Sequence, residues 1–439
     1  MRFMKYFRSS VVVMLLLISQ GIRAEQPALA FSGASGFGKY TTGGNEGKVL
    51  VVSSLADNSK DPQEGTLRWA VKQPYPRLVV FAVSGVIQLE KTLEIKEPHI
   101  TIAGHTSPAG IVVAGASTSI EADQVIIRHM AFRPGHFLQE GDALSARNHS
   151  DIIIDHCSLS WANDEVASFY NNTRFTLQNS IIAESLNNAG HHKGSHGYGG
   201  IWGGRDASFL RNVLVSHISR NPRINGWRLK SPYPQEDEFV DISNNVIVNW
   251  QDASGYGGEG GKANFTANYF LPGPATKSAR FFEFWGDDRP LALLYASGNV
   301  MHDHPEMSAS NALGIKVKGA KKNPQQAAAI KAASLADKPF RQGAISALQE
   351  STLTAQQAYV ALIENADAGS FLRRGRKAHD STDRRILAAI RSGSYAGKDG
   401  IIDSELEVTD WQQYRTELSS ADTAETEELS AEQWRKLAL

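Results

Sequence analysis

Short β-rich runs recur along the chain between residues 48 and 300, and four of them share one local form. In these four, a few apolar residues precede an asparagine and further apolar residues follow it: TLQNSII, FLRNVLV, ISNNVIV and LYASGNVM. Repeated units at an irregular spacing of roughly 20–35 residues are typical of a solenoid and not of a sandwich. Helical periodicity is almost absent from this stretch, which argues against a β/α barrel. The repeats therefore predict a parallel β-helix.

The recurring asparagine indicates how the turns of such a helix stack. Asparagine at the same place in successive units suits a stacked turn, because it tolerates left-handed backbone and its side-chain amide can form a ladder. The runs that we predict as strands are residues 49–52, 78–83, 100–103, 111–114, 124–132, 151–160, 175–183, 208–216, 239–248, 264–270 and 291–300.

The composition changes after about residue 311, where Ala, Gln, Lys and Glu become frequent. Segments 323–336, 355–365 and 383–391 have helical spacing, and such a tail can cap a solenoid or pack along its outside. We therefore expect an all-β fold class, a right-handed single-stranded parallel β-helix with a mostly helical C-terminal extension. The predicted parts of the 439-residue chain are a signal peptide over 1–24, a β-helix domain over 25–310 and the extension over 311–439.

The N-terminus has the pattern of an export signal. Basic residues within the first eight positions precede the apolar run VVVMLLLI, and Ala24 is a small residue suited to cleavage. The apolar run is too short to span a bilayer comfortably. We expect a mature chain that begins near Glu25, has no membrane span and is secreted or periplasmic. Cys157 is the single cysteine, so we expect a buried, inert thiol and no intramolecular disulfide.

Acidic residues lie close together in the middle of the predicted solenoid. Asp142 precedes Asp155 by 13 residues, and Asp164 and Glu165 follow soon after. Since equivalent places in successive coils stack about 4.8 Å apart, these carboxylates can meet in one groove. Clustered carboxylates repel unless a cation neutralises them, and oxygen ligands without thiolates favour Ca²⁺ or Mg²⁺. The alternative is a set of solvated loop acids.

The segment from residue 190 to residue 230 is strongly basic, although the whole chain has a formal net charge of -1. It contains seven basic residues, one acidic residue and four histidines, which suggests an anionic ligand held by a local patch. A solvated basic face, a zinc site in the histidine run and binding of single-stranded nucleic acid are the alternatives, and export disfavours the last. The basic residues are Lys193, Arg205, Arg211, Arg220, Arg223, Arg228 and Lys230, and Tyr198, Trp202 and Trp227 could stack on sugar rings.

Several motifs together resemble the pectate lyase family, polysaccharide lyase family 1, in particular its branch with a long glycine-rich insertion. The resemblance runs from about residue 31 to residue 300. It comprises, in order, GFGKYTTGG, VVSSLADNSKDPQEGTLRWAV, TIAGHTSPAG, IIIDHCSLSW and SRNPRING. The fourth motif looks like the aspartate-histidine strand of the family, and the fifth looks like its arginine-x-proline motif.

The resemblance implies a Ca²⁺ site. Asp142 occupies the place of the first calcium aspartate of the family, and Asp164 that of the first acid of a second calcium pair. Four residues after Asp164, where the family has another acid, this chain has Ser168, and Glu165 is the acid nearby that could take its place. The implied metal ligands are therefore Asp142, Asp164 and Glu165.

The resemblance also implies roles for basic residues. Lys193 looks like the substrate-binding lysine, with His192 beside it, and Arg220 looks like the catalytic arginine. A second family arginine, five residues after Arg220, is replaced by Asn225, and Arg223 or Arg228 could reach the same substrate carboxylate.

The implied activity is Ca²⁺-assisted β-elimination in 1,4-linked uronic-acid polymers such as pectate, with Arg220 as the base. Two alternatives stay open. A glycoside hydrolase on the same fold would use a pair of the carboxylates as acid and base, and a non-catalytic β-helix would only bind a glycan. We expect an acidic polysaccharide as the partner, no nucleic acid and a monomer.

Overall fold

The computed structural model describes residues 27–341, 353–397, 399–419 and 429–439. The predicted signal peptide, residues 1–24, lies outside the described residues. Within those ranges, no helix is long and apolar enough to cross a bilayer. Parallel strands wind around one continuous core, and the predicted fold class, a right-handed parallel β-helix with a helical C-terminal part, is confirmed.

Most coils contribute one strand to each of three parallel sheets, and two long strands bend to serve two sheets at once. Sheet 1 consists of Lys48–Val52, Arg77–Phe81, Ile100–Ala103, Val125–Arg128, Ser150–Asp155, Ala167–Gln178, Ile201–Leu210, Phe239–Ser243, Lys262–Thr266 and Leu293–Ser297. Sheet 2 consists of Leu93–Ile95, Thr118–Ile120, Leu144–Arg147, the first parts of the two long strands (Ala167–Gln178 and Ile201–Leu210), Arg223–Ile224, Gly255–Gly257, Phe282–Phe284 and Ile315–Val317. Sheet 3 consists of Gly85–Gln88, Ile111–Ala114, Ala131–Phe132, Ser158–Ser160, Ile181–Ala183, Val213–Val215, Val246–Val248, Tyr269–Leu271 and Val300–Met301.

The longer runs that the sequence predicts as single strands are each two strands joined by a two-residue corner between sheet 1 and sheet 3. The first corner residue has a left-handed backbone, with φ of 50° at Asn179 and 58° at Asn244. From Asn212 onward the second corner residue is an asparagine of the predicted ladder, whereas in TLQNSII it is Ser180 and Asn179 lies one place earlier. Each Oδ1 accepts hydrogen bonds from the backbone and side-chain amides of the preceding ladder residue at 2.9–3.1 Å, along Asn212, Asn245, Asn268, Asn299 and Asn311.

Aliphatic and aromatic side chains fill the interior. Phe175 stacks between Phe169 and Phe209, with ring centroids 5.0 Å and 5.5 Å apart. Cys157 is fully buried, and burial raises the pKa of its thiol to about 12, as expected of an inert core cysteine. A continuous apolar core of this kind is the main favourable contribution to folding.

The N-terminal motif GFGKYTTGG packs against the outer surface of sheet 1. A Cβ atom on Gly38 would lie 2.5 Å from the carbonyl oxygen of Ile152, and one on Gly44 would lie 1.8 Å from that of Arg77. Only glycine allows such close approach of two backbones, which is why the motif is rich in glycine.

Helices cover both ends and two faces of the β-helix. Leu67–Val71 and Pro324–Ser334 pack against opposite ends of the core. Ser381–Ser392 covers sheet 3 at Val213 and Val246. The other helical segments are Pro305–Ala309, Ala355–Tyr359, Trp411–Ser419 and Ala431–Ala438, short 3₁₀ turns at Gly104–Thr106, Gly135–Phe137, Gln235–Asp237, Asn311–Gly314 and Glu405–Glu407, and a π-helical turn at Val360–Glu364; Leu372–Arg373 pairs with Arg376–Lys377 in a small hairpin.

A buried ion cluster fastens the extension to the β-helix. The Arg133 guanidinium is fully buried and lies 2.7 Å from Asp380 Oδ2 and 2.6 Å from Asp383 Oδ1. The Tyr414 hydroxyl donates to the same Asp380 oxygen at 2.7 Å. The β-helix and two helices of the extension therefore share one set of buried charges.

Candidate active site

The candidate site lies on the loops that lead from sheet 3 into sheet 2. Backbone hydrogen bonds join successive loops, from Ala143 N to Glu165 O (3.2 Å), Val166 N to Tyr198 O (3.1 Å) and Gly200 N to Arg220 O (2.8 Å). Residues far apart in sequence are thereby placed side by side at the N-terminal ends of the sheet 2 strands.

The three predicted metal ligands come together. Carboxylate oxygens of Asp142, Asp164 and Glu165 lie within 4.8 Å of one another. Asp142 Oδ1 accepts a hydrogen bond from Glu165 N at 3.2 Å, and burial raises the pKa of Asp142 to about 6 against the opposing charge of Arg147. Because a divalent cation relieves this crowding of partly buried carboxylates, the donor set fits Ca²⁺.

Asp155 lies elsewhere, contrary to the expectation that it joins these carboxylates. It ends a sheet 1 strand, where its side chain accepts from His156 Nδ1 at 2.7 Å and forms a 3.1 Å ion pair with Arg128. Backbone register places it beside Arg128 and Gln178 of the neighbouring coils. Spacing along the sequence does not reveal this register, because the loops differ in length.

Arg220 is held between an aromatic ring and a carboxylate. Its guanidinium lies over the ring of Tyr198, 4.0 Å from the centroid, and contacts Glu165. The Arg220 side chain is 20% exposed, so it is reachable from the groove. Burial lowers the pKa of Arg220 from its ordinary value. Tyr256 and Asp164 oppose this shift, and the charge of Arg223 adds to it.

Arg223 and Arg228 lie in the same basic region. Arg223 Nη2 is 2.7 Å from Glu259 Oε1, and Arg228 Nε donates to the carbonyl of Asn225 at 3.1 Å. Burial, and next the charge of Arg223, lower the pKa of Arg228. Asn225 is fully buried and donates to Asn171 Oδ1 at 3.1 Å, so its side chain points inward.

Lys193 and His192 lie on an exposed turn of the glycine-rich loop, residues 184–200. The backbone N–H of Lys193 donates to His191 Nδ1 at 3.1 Å, while His192 Nδ1 lies 2.7 Å from Glu140 Oε2. His192 is thus engaged with the adjacent loop. Ser168, where the family has an acid, is fully buried near Asp142.

Aromatic and basic residues further along sheet 2 were not singled out from the sequence. Trp285 lies beneath Arg289 at 4.1 Å and beneath Lys318 at 4.6 Å from the ring centroid, and Tyr256 lies beneath Arg223 at 5.3 Å. Tyr256 lies in a strand of three residues, and Trp285 and Lys318 directly follow strands of three residues, which are too short for a periodic pattern. The register between coils shows where Tyr256 lies, because it pairs Tyr256 with Arg223.

Fold and site together define a parallel β-helix protein whose groove combines a carboxylate cluster with neighbouring arginines. No family model matches the chain. A protein named probable pectate lyase C from Aspergillus flavus is 38% identical over 264 residues, which cover 58% of this chain and 57% of that protein. Its namesake from Aspergillus fumigatus is 36% identical over 282 residues, which cover 62% of this chain and 60% of that protein.

These relatives confirm the resemblance to pectate lyases that the motifs indicated, although the matched region spans less than two thirds of either relative. Among solved structures, the cedar pollen allergen Jun a 1 superposes with a TM-score of 0.54 at 17% identity, over 76% of this chain and 92% of that one. That similarity shows a shared fold.

Proposed function

We propose that this protein is a polysaccharide lyase that cleaves 1,4-linked uronic-acid polymers of the pectate type by Ca²⁺-assisted β-elimination. The observation that carries the proposal is the grouping of Asp142, Glu165 and Arg220 on stacked loops, where the loop of Tyr198 lies between those of Glu165 and Arg220. The names of the relatives support the same substrate class.

Arginines beside the carboxylates could bind a polyuronate. Arg223, Arg228 and Arg289 follow Arg220 along sheet 2 and its loops, and guanidinium groups bind carboxylates in a bidentate manner. Trp285 and Tyr256 supply aromatic surface beneath these cations. Lys193, on its exposed turn, would contact a further uronate carboxylate.

The reaction removes the proton on C5 of the uronate. The electron pair of the C5–H bond forms the C4–C5 double bond, and the bond from C4 to the glycosidic oxygen breaks. The leaving oxygen keeps the electron pair of that bond and takes up a proton from water. A Ca²⁺ ion bound by Asp142, Asp164 and Glu165 would supply positive charge at the substrate carboxylate and so acidify the C5 proton.

Arg220 is the proposed base. A guanidinium is ordinarily too basic to be found deprotonated, with a pKa above roughly 12. Burial is the largest influence on the pKa of Arg220 and lowers it, and the charge of Arg223 acts in the same direction, against Tyr256 and Asp164, since like charges nearby favour the neutral form. Its contact with Glu165 must open before it accepts a proton.

The hydrolase alternative fits the geometry less well. Glycosidases place their two carboxyl groups roughly 5–9.5 Å apart, on either side of the scissile bond. Here oxygens of three carboxylates lie within 4.8 Å of one another, beside a cluster of arginines for which hydrolysis has no role.

A product assay separates the candidates. The purified protein is incubated with polygalacturonate and other polyuronates, with Ca²⁺ or with a chelator. A lyase gives products that absorb in the near ultraviolet through a 4,5 double bond, and chelation abolishes them. New reducing ends without that absorbance would identify a hydrolase, and binding without cleavage would identify a glycan-binding protein.

We also propose that the protein acts outside the cytoplasm. The support is the signal-peptide pattern of residues 1–24. Mass spectrometry of the protein from its native source should find a chain that begins near Glu25, and an intact N-terminus would contradict export by this route.

A further inference from the structure

One segment of the C-terminal extension, residues 401–407, contacts two loops that carry a predicted metal ligand and a predicted substrate ligand. The first loop, residues 133–143, contains Asp142. The second is the glycine-rich loop, residues 184–200, which contains Lys193. The two loops meet where His191 Nε2 lies 3.3 Å from Glu140 Oε1.

Glu405 holds the first loop. Its carboxylate is fully buried and accepts a hydrogen bond from the backbone N–H of His136 at 3.0 Å. It also contacts His136 Nδ1 and accepts from Trp411 Nε1 at 2.9 Å. Three donors therefore converge on one buried carboxylate, and two of them belong to His136, six residues before Asp142.

Asp403 and its neighbour hold the second loop. Asp403 Oδ1 accepts from both the backbone N–H and the side-chain amide of Asn188, each at 3.0 Å. The carbonyl of Ile402 accepts from Asn187 N at 3.0 Å, and Ile402 is buried beneath the loop against Trp161 and Leu186.

Further hydrogen bonds connect Asn187 and Asn188 to the other end of the glycine-rich loop. Asn188 Oδ1 accepts from the Ser195 hydroxyl at 2.6 Å, and Asn187 O accepts from His196 N at 2.9 Å. The turn that bears His191, His192 and Lys193 is thus closed at its base by Asn187 and Asn188, which the extension fixes in place.

We propose that Asp403 and Glu405 are positioning residues, through which the C-terminal extension orders the two ligand-bearing loops. Glu405 positions the loop of Asp142, and Asp403 positions the loop of Lys193. This positioning deepens the proposed lyase function. Only its expected effects on activity rest on that function. The alternative is that the extension merely stabilises the β-helix.

The distinction lies in which loop responds to which substitution. In amide hydrogen exchange on the full chain, Asp403→Ala should accelerate exchange in residues 187–196, by at least about fivefold for hydrogen bonds to a carboxylate. Glu405→Ala should accelerate exchange in residues 135–143. Asp403→Asn keeps an acceptor oxygen for Asn188 and should restore most of the protection.

Asp410→Ala is the matched control. Asp410 lies in the same extension, and its Oδ1 accepts from Gln412 N at 2.8 Å and from Gln413 N at 3.0 Å at the start of a helix. Its removal should lower stability as loss of a helix cap does, without a change in exchange at either loop.

Activity provides the second readout. Asp403→Ala should raise KM for polygalacturonate about fivefold with little change in kcat, because a binding loop is loosened. Glu405→Ala should weaken Ca²⁺ binding measured by calorimetry. Unchanged exchange in both loops, or equal acceleration in the Asp410→Ala protein, would overturn the proposal. If the wild-type protein shows no lyase activity, the function fails while the exchange measurements still decide the positioning.

Discussion

Replacement of Arg220 by lysine is the most direct test of the catalytic proposal. Lysine keeps a positive charge opposite Glu165, whereas a neutral residue would leave a buried carboxylate unpaired at a cost of about 3–5 kcal/mol. What lysine removes is the planar group that lies 4.0 Å from the centre of the Tyr198 ring. A positioned base tolerates this exchange poorly, and a simple ion-pair partner tolerates it well.

The expected loss is set by what a general base contributes. We expect Arg220→Lys to lose at least about a hundredfold in kcat, the low end for general-base catalysis. That factor corresponds to about 2.7 kcal/mol of transition-state free energy. Folding and polymer binding should remain close to those of the wild-type protein.

Initial rates are read from the ultraviolet absorbance of the unsaturated product, with thermal unfolding and polymer binding measured in parallel. Arg174→Lys is the control, since Arg174 forms an exposed 2.6 Å ion pair with Asp151 on sheet 1. Near-normal turnover of the Arg220→Lys protein would show that Arg220 is an ion-pair partner of Glu165 and not the base.

Three further predictions concern metal, substrate and stability. Because metal ligands must be deprotonated and the pKa of Asp142 is about 6, Ca²⁺ affinity should be full above that pH and decline below it. Calorimetry should find the Ca²⁺ affinity lost in the Asp142→Asn protein but unchanged in the Asp241→Asn protein. Asp241 is a buried aspartate on sheet 1, and burial also raises its pKa to about 6. Equal loss of affinity in both proteins would refute the site. Lys193→Ala should mainly raise KM in steady-state assays, and a fall in kcat alone would instead place Lys193 in proton transfer. Arg133→Met should lower the free energy of unfolding by about 3–5 kcal/mol in denaturant titrations, because it leaves two buried carboxylates unpaired. Arg174→Met, the control, should lower it by less than about 1 kcal/mol. Similar losses in both proteins would show that the buried cluster contributes little.

Part of this structure follows from the sequence alone. The β-rich runs, the asparagine ladder and the helices near residues 324–334 and 381–392 are local patterns, fixed by side-chain periodicity and turn chemistry. The two-residue corners within the runs were not predicted, because one left-handed residue barely interrupts an apolar pattern. The grouping of Asp142, Asp164 and Glu165 was also expected, although family resemblance contributed to it.

Only the tertiary structure decided which residues lie level on neighbouring coils. Hydrogen bonds between coils set that register, and loops as different in length as 161–166 and 184–200 hide it in the sequence. This is why Asp155 faces Arg128 and not the groove, and why Glu165 contacts Arg220. The contacts of Asp403 and Glu405 span more than 200 residues of chain. Such contacts join a C-terminal tail to loops far earlier in the chain, and no local pattern encodes them.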